Sequence, residues 1–341
     1  MDLTYKEICD TFNALQKTAR YLEEKWGYIE AFLSGKDRLV FVGCGSSYYL
    51  ARSMAIISST AGTPALAMAA GDILLHAGRY KKIFDGAAVI SISRSGRTSE
   101  LIMALDAIKD QGCNISVASL ICADDTPLGA KSDALLSTPW AFDESVCQTR
   151  CVTNFYFMAV YIAAKMTGDK AALADLQKTI DNGPAYLDRA QAFARELSEK
   201  PWTHAVVLAD GELEGLAEEG ALAFKEICQL PSNYHHLLDV RHGPMVLIGK
   251  DTLVLIALGS NNKLEHDLLR DVRGKGAVIA AFTDIDIRLD DACAISFGQP
   301  LPFAAMGIPF ILLCQMISYY KSKATGADPD KPDGLDAWIS L

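Results

Sequence analysis

An unbroken apolar run, Ala87-Ala88-Val89-Ile90-Ser91-Ile92, ends in the loop Ser93-Arg94-Ser95-Gly96-Arg97-Thr98-Ser99 and passes into Glu100-Leu101-Ile102-Met103-Ala104-Leu105-Asp106-Ala107-Ile108. The run lacks polar alternation, so it suits a strand buried on both faces, as in parallel sheets. The stretch after the loop spaces its apolar residues at the helical period. Strand, short loop and helix together form a βα unit, which confines the chain to α/β architectures with helices on the faces of a parallel sheet. The loop also bears on chemistry. The first N–H groups of the helix are unpaired and lie at the positive end of its dipole, and Ser and Thr hydroxyls add donors, so this loop can hold a phosphate. Ser95, Thr98 and Ser99 could equally serve only as helix caps.

A second loop tilts the balance toward phosphate. Gly43-Cys44-Gly45-Ser46-Ser47 follows the strand-like Arg38-Leu39-Val40-Phe41-Val42 and leads into the helix-like Tyr48-Tyr49-Leu50-Ala51-Arg52-Ser53-Met54-Ala55. Neither loop has the Rossmann spacing G-x-G-x-x-G or the Gly-Lys-Ser/Thr of a P-loop, so a nucleotide is not indicated. Two such loops at the C-terminal ends of two strands can face one crevice where the strand order switches. Gly45, Ser46, Ser47, Ser93, Arg94, Ser95 and Thr98 are the expected phosphate ligands, and the pair suits one phosphate monoester.

With 341 residues, two domains of ordinary size are expected. The net charge of −10 and the absence of a basic run argue against nucleic acid. The nine cysteines form no CxxC, and they read as free thiols of a reducing cytoplasm. Cys44 has no activating base in its motif and reads as a small loop residue. The N-terminal stretch has no signal-peptide pattern, and no apolar run reaches the ~20 residues of a membrane span. No membrane partner, cofactor or metal is expected. His235, His236 and His242 lack helical two-turn ligand spacing and an adjoining carboxylate cluster.

Along the chain, residues 4–34 read as helices covering a first domain. Strands at 38–43, 65–70, 87–92 and 114–121 alternate with helices at 48–60 and 99–111, and an apolar helix spans 154–166. A polar helix interrupted at Gly183-Pro184 connects to a second series: strands 204–209, 253–258 and 277–282, helices 216–229 and 263–274, and a closing apolar helix near 308–321. The order of the second half mimics the first, but its loops, Asp210-Gly211-Glu212 and Gly259-Ser260-Asn261-Asn262, are acidic or amide-rich. One phosphate site per chain follows.

Cys44-Gly45-Ser46-Ser47 together with Ser93-Arg94-Ser95-Gly96-Arg97-Thr98 resembles the sugar isomerase (SIS) domain. Over nearly the whole chain, the sequence is similar to the tandem-SIS isomerase half of the glucosamine-6-phosphate synthase family and its shorter relatives. The resemblance implies an α/β fold of two SIS domains, each a parallel sheet flanked by helices in three layers. Its boundaries would be an N-terminal helical segment (1–35), a phosphosugar-binding domain (36–168), a second domain with the catalytic segments (169–327) and a tail near the active site (328–341). Glu144-Ser145-Val146-Cys147-Gln148-Thr149-Arg150 resembles the segment that closes over the sugar phosphate, which implicates Val146, Gln148 and Thr149. Gln148 and Thr149 could instead cap the next helix.

Glu219-Gly220-Ala221-Leu222-Ala223-Phe224-Lys225-Glu226 and Arg241-His242-Gly243-Pro244 resemble two further family segments. By position, Glu226 matches the base that moves a proton between C1 and C2, and His242 the histidine that helps open the sugar ring. A carboxylate and an imidazole suit that chemistry. Without the resemblance, Glu226 would read as a solvated helix charge and His242 as a loop residue. His235 and His236 are possible substrate contacts, as is Arg241. In such relatives the histidine loop reaches the neighbouring subunit's site, so a homodimer is implied.

The synthase tail carries a lysine that reaches the sugar. Here Gly334-Leu335-Asp336-Ala337-Trp338-Ile339-Ser340 has none, and Lys331 stands too early to be equated with it. No amidotransferase unit is expected in these residues. The expected activity is aldose–ketose isomerisation of a sugar phosphate, with or without loss of ammonia from an amino sugar 6-phosphate, as in tagatose/galactosamine-6-phosphate isomerase/deaminase relatives. The alternatives are a fructosamine-6-phosphate deglycase and, from another class, a non-catalytic sugar-phosphate sensor. A sensor would need a DNA-binding domain, for which the first 35 residues are too short and lack a basic recognition helix.

Overall fold

A computed structural model describes residues 2–259, 262–287, 289 and 292–336. In chain order the elements are α1 (Leu3–Cys9), α2 (Thr11–Glu24), α3 (Trp26–Leu33), β1 (Leu39–Gly43), α4 (Ser46–Thr60), β2 (Ala65–Ala69), α5 (Ala70–Phe84), β3 (Ala88–Ser93), α6 (Ser99–Asp110), β4 (Ser116–Ile121), α7 (Pro127–Ala130), β5 (Ala134–Ser137) and α8 (Arg150–Thr167). They continue with α9 (Lys170–Ser198), β6 (His204–Ala209), α10 (Glu214–Ile227), β7 (Ser232–His236), β8 (Thr252–Ala257), α11 (Lys263–Gly274), β9 (Val278–Thr283), β10 (Cys293–Ser296) and α12 (Phe303–Thr325). The chain divides into two compact units. A first is built from residues 10–144 and 150–174, a second from 2–9, 145–149 and 175–335.

The first unit has a five-stranded parallel sheet of order β2-β1-β3-β4-β5. Its central strands are apolar without alternation because both faces are covered. Val40, Val42 and Val89 pack on one face with Leu101, Leu105 and Ile108 of α6, while α4 and α8 cover the other. From β1 the chain goes to β2 on one side and returns with β3 on the other. The order therefore switches between β1 and β3.

The second unit has a parallel sheet of order β10-β9-β8-β6-β7, the same order as the first when read from β7. Its switch falls between β6 and β8. Leu268, Leu269 and Val272 of α11 pack on one face with Val206, Leu208, Val254 and Ile256. α10 and α12 pack together with the opposite face, where a Cβ at Gly220 would sit 3.7 Å from the Val207 side chain.

Several expectations change. α1 belongs to the second unit and packs on α12, with the Tyr5 and Tyr319 rings 5.0 Å apart, instead of covering the first sheet. α9 runs unbroken through Pro184. Proline removes one helical hydrogen bond, but the buried Tyr186 two residues on anchors the helix. Its hydroxyl donates to the Pro309 carbonyl at 3.0 Å, and its ring packs on Phe297. α12, at 23 residues, is long and apolar enough to cross a membrane, contrary to the sequence reading. Of its most apolar stretch, 83% is buried inside the protein, as for a core helix. All nine cysteines are free, as expected.

Candidate phosphosugar site

Both serine loops leave the C-terminal ends of the adjacent strands β1 and β3, whose register pairs Val42 with Ser91. They flank the first switch in strand order, where open α/β sheets bind ligands. Parallel neighbours lie about 4.8 Å apart, so the two loops border one crevice. α4 begins at Ser46 and α6 at Ser99, and both aim their positive ends there.

Ser46 and Ser47 are only 4% and 5% exposed. Among the described residues, neither hydroxyl meets a protein partner, and the N–H groups of Gly45 and Ser46 do not either. These donors stay in reach of solvent, with Gly45 exposed, so an anion at the start of α4 could take them up. In the other loop, Ser93 Oγ accepts from Gly96 N at 3.0 Å and lies 3.2 Å from Thr98 Oγ1, and Ser95 Oγ accepts from Arg97 N at 3.2 Å. These bonds fold the loop upon itself. The fold requires glycine at position 96, whose φ is +61° and whose Cβ would fall 2.5 Å from Thr126 Oγ1. Thr126 itself caps α7 by accepting from Gly129 N.

Arg94 is buried, its guanidinium 5.8 Å from the Phe142 ring centroid, with Nη1 donating to the Asp143 carbonyl at 3.4 Å. Asp143 in turn accepts from Cys151 N at 3.0 Å. Arg94 thus joins the loop to the wall at residues 142–143, a use that its place in the motif did not announce. Burial, with the Glu100 carboxylate adding to it, pushes the Cys44 thiol up to about 12. It remains protonated at neutral pH and is no nucleophile.

Val146, Gln148 and Thr149 lie in the segment 145–149, which groups with the second unit. Ser145 donates from N and Oγ to the buried Glu7 carboxylate at 3.2 and 2.5 Å, and the Thr149 carbonyl accepts from Gln315 Nε2 at 3.0 Å. Val146 N reaches the Asp330 carbonyl at 3.5 Å. The Asp330 carboxylate accepts from Leu3 N and Thr4 N, both at 2.8 Å, so the C-terminal segment caps α1. Gln229 Nε2 donates to the Asp333 carbonyl at 2.9 Å, which ties the same segment to the end of α10. Ala337-Trp338-Ile339-Ser340 lie outside the described residues.

Glu226 is half-buried in the last turn of α10. Ser232, which opens β7, donates to the Ala221 carbonyl of the same helix. Glu226 lies five residues beyond Ala221, about 7.5 Å along the helix axis. His236 lies four residues beyond Ser232 in the opposite direction, about 13 Å along the strand. His235 and His236 therefore do not join Glu226. They end β7 on the switch side of the second sheet. There burial raises Asp210 from its ordinary value, His236 opposes this, and Glu265 adds to it. Burial, aided by His204, lowers His235.

His242 is exposed, and Arg241 Nε donates to Asp271 Oδ2 of α11 at 2.7 Å. The flanking Leu237, Val240 and Ile248 pack on the α11 face of the sheet, opposite α10. Within one chain, the sheet stands between His242 and Glu226.

The second switch is closed. A Cβ at Gly259 would fall 2.2 Å from the Phe303 ring, which fills the crevice. The buried Glu265 carboxylate accepts from Gly259 N and Asn262 N, both at 3.1 Å, occupying donors of the kind an anion would take. Asn262 accepts from Glu265 N in return. The Asn262-x-x-Glu265 spacing is a capping box legible in the sequence; Phe303 had no local signal. Among the described residues no group of three His, Cys, Asp or Glu could hold a metal.

Residues 32–168 match the SIS domain family. The glutamine–fructose-6-phosphate aminotransferase (isomerizing) of Yersinia pseudotuberculosis is 26% identical over 338 residues, which cover 92% of this chain and 53% of that protein. This chain spans about half the length of the curated relatives it matches. The glucosamine-6-phosphate deaminase of Thermotoga maritima superposes with a TM-score of 0.81 at 25% identity, covering 99% of this chain and 100% of that one. The tagatose-6-phosphate ketose/aldose isomerase of Escherichia coli superposes with a TM-score of 0.84 at 20% identity, covering 98% and 96%. The first α/β unit, with both serine loops at its switch point, is thus built on a SIS domain, in a chain similar along nearly its whole length to enzymes named for phosphosugar isomerisation and deamination.

Proposed function

We propose that this protein is a phosphosugar aldose–ketose isomerase that also deaminates an amino sugar 6-phosphate. The observation that carries the reading is the cluster of donors without a partner among the described residues, the Gly45 and Ser46 N–H groups and the Ser46 and Ser47 hydroxyls, on the first switch point and opposite Ser93, Ser95 and Thr98. Such donors hold a compact dianion without needing a positive net charge. Glu226 takes the proton from C2 of the open-chain aldose while O1 gains one from water, giving an ene-diol, and it then returns its proton to C1 while O2 gives one up to water, giving the ketose. With an amino group at C2, the same shift leaves a C2 imine, and water then releases ammonia. His242 serves as the acid at the ring oxygen.

In this reading each site draws Glu226 from one chain and His242 from a second copy, so the working form is a homodimer. Two observations support this. The second sheet lies between the two residues within one chain, and Val246 and Leu247, just after His242-Gly243-Pro244, are 80% and 63% exposed. Large apolar side chains so exposed beside a site mark a contact surface.

The test is a turnover screen by NMR with fructose 6-phosphate, tagatose 6-phosphate, glucosamine and galactosamine 6-phosphates and a 6-phosphofructosamine–amino-acid adduct. Glu226→Gln is the control. Ketose and ammonia from an amino sugar, abolished in the variant, are the expected result. Release of a free amino acid would make the protein a deglycase, and binding without turnover a sensor.

A further inference from the structure

The first unit contains an apolar cavity of about 280 Å³ that the phosphate chemistry does not use. It lies on the α4/α8 face of the first sheet, with Leu39, Phe41, Ile90 and Leu120 as its floor and Met54 and Ile162 among its walls. The serine loops leave the C-terminal ends of these strands, whereas Leu39 opens β1, about 13 Å away along the strand. The two places are distinct.

The cavity is open to solvent. Its floor residues keep 4–7% exposure, while Val40, Val42 and Val89 on the opposite face have 0%. Its lining offers water few partners, so water is held poorly there, whereas an apolar solute gains contact with every wall. Ser34, Ser58, Thr63 and Lys36 add polar groups to this lining. Lys36 Nζ donates to Ser116 Oγ at 2.8 Å and, among the described residues, meets no carboxylate. The ammonium also lies 5.9 Å from the centroid of the Phe32 ring, which lines the cavity, and with only such neutral neighbours it selects an anionic end group on an apolar body.

We propose that this cavity is a second binding site, specific for a small amphipathic carboxylate whose apolar body lies on the sheet and whose carboxylate meets Lys36. A cavity of about 150 Å³ accommodates the six carbons of benzene, so this one suits about eleven heavy atoms, the size of octanoate. The proposal does not depend on the phosphosugar reading.

The test is a titration of the full chain with octanoate, followed through methionine-methyl NMR. Met54 and Met166 line the cavity and Met306 lies in the second unit. The expected result is a saturable shift at Met54 and Met166 with none at Met306. Lys36→Met should weaken octanoate about tenfold, the order expected for a charge-assisted bond, and 1-octanol should bind the wild type about as weakly. Ala163→Phe, which fills the cavity, should abolish the shifts. Should that variant fail to fold, the surface substitution and the alcohol still decide. No saturable Met54 shift overturns the site, and octanol binding as tightly as octanoate overturns its specificity.

Discussion

Replacing Gly96 with alanine tests the proposed phosphate loop at its most constrained point. The residue holds φ at +61°, where an L-residue costs about 1–2 kcal/mol. The new Cβ would lie 2.5 Å from Thr126 Oγ1 and 2.7 Å from Thr126 Cβ. Thr126 has little room to yield. It is 5% exposed, and its Oγ1 accepts from Gly129 N at 3.1 Å; displacing this cap costs about 1 kcal/mol. Together these give about 2–3 kcal/mol, and for a unit of this size a Tm lower by about 4–12 °C. Ser95 precedes Gly96 and Thr98 follows, so phosphosugar affinity should fall in parallel. Calorimetric unfolding and isothermal titration measure the two effects. In a Thr126→Gly background the same substitution should cost only the backbone part, about 1–2 kcal/mol, which a double-mutant cycle would register. A Gly96→Ala protein with unchanged Tm and affinity would refute the account of the loop as a rigid, glycine-dependent cradle.

Ser47→Ala and Ser95→Ala should each weaken phosphosugar binding by about 1.5–3 kcal/mol, the contribution of one bond to a charged group; unchanged titration curves in both would put the phosphate elsewhere. The raised Cys44 thiol, at about 12, leaves roughly one part in ten thousand as thiolate at pH 8. Iodoacetamide at that pH should leave it unlabelled by peptide mass mapping, and Cys44→Ser should keep its turnover. Mixing the inactive Glu226→Gln and His242→Ala proteins should restore about a quarter of wild-type activity if a two-fold dimer shares its sites; no recovery after subunit exchange would place both residues in one chain's site.

The central strands and both serine loops were legible because parallel strands covered on both faces are written as continuous apolar runs, and because a loop before a helix advertises its donors. Of the four edge strands, β2 was read at 65–70, and the other three were not. β5 and β10 have four residues each, and β7, Ser-Asn-Tyr-His-His, has no apolar face to read. α5 carries Gly71 and Gly78, which locally signal a break, and it does kink between them at His76, whose φ is −142°, while its two pieces still form.

From the sequence alone came the α/β class, the repeated strand–helix order and the confinement of the serine loops to one half, since these depend on local period and local residue type. Only the tertiary structure decided that both loops border one switch point, that Phe303 and Glu265 close the other, and that the second sheet stands between Glu226 and His242. Strand order and facing side are set by which surfaces pack together across the chain. No local stretch of sequence encodes that.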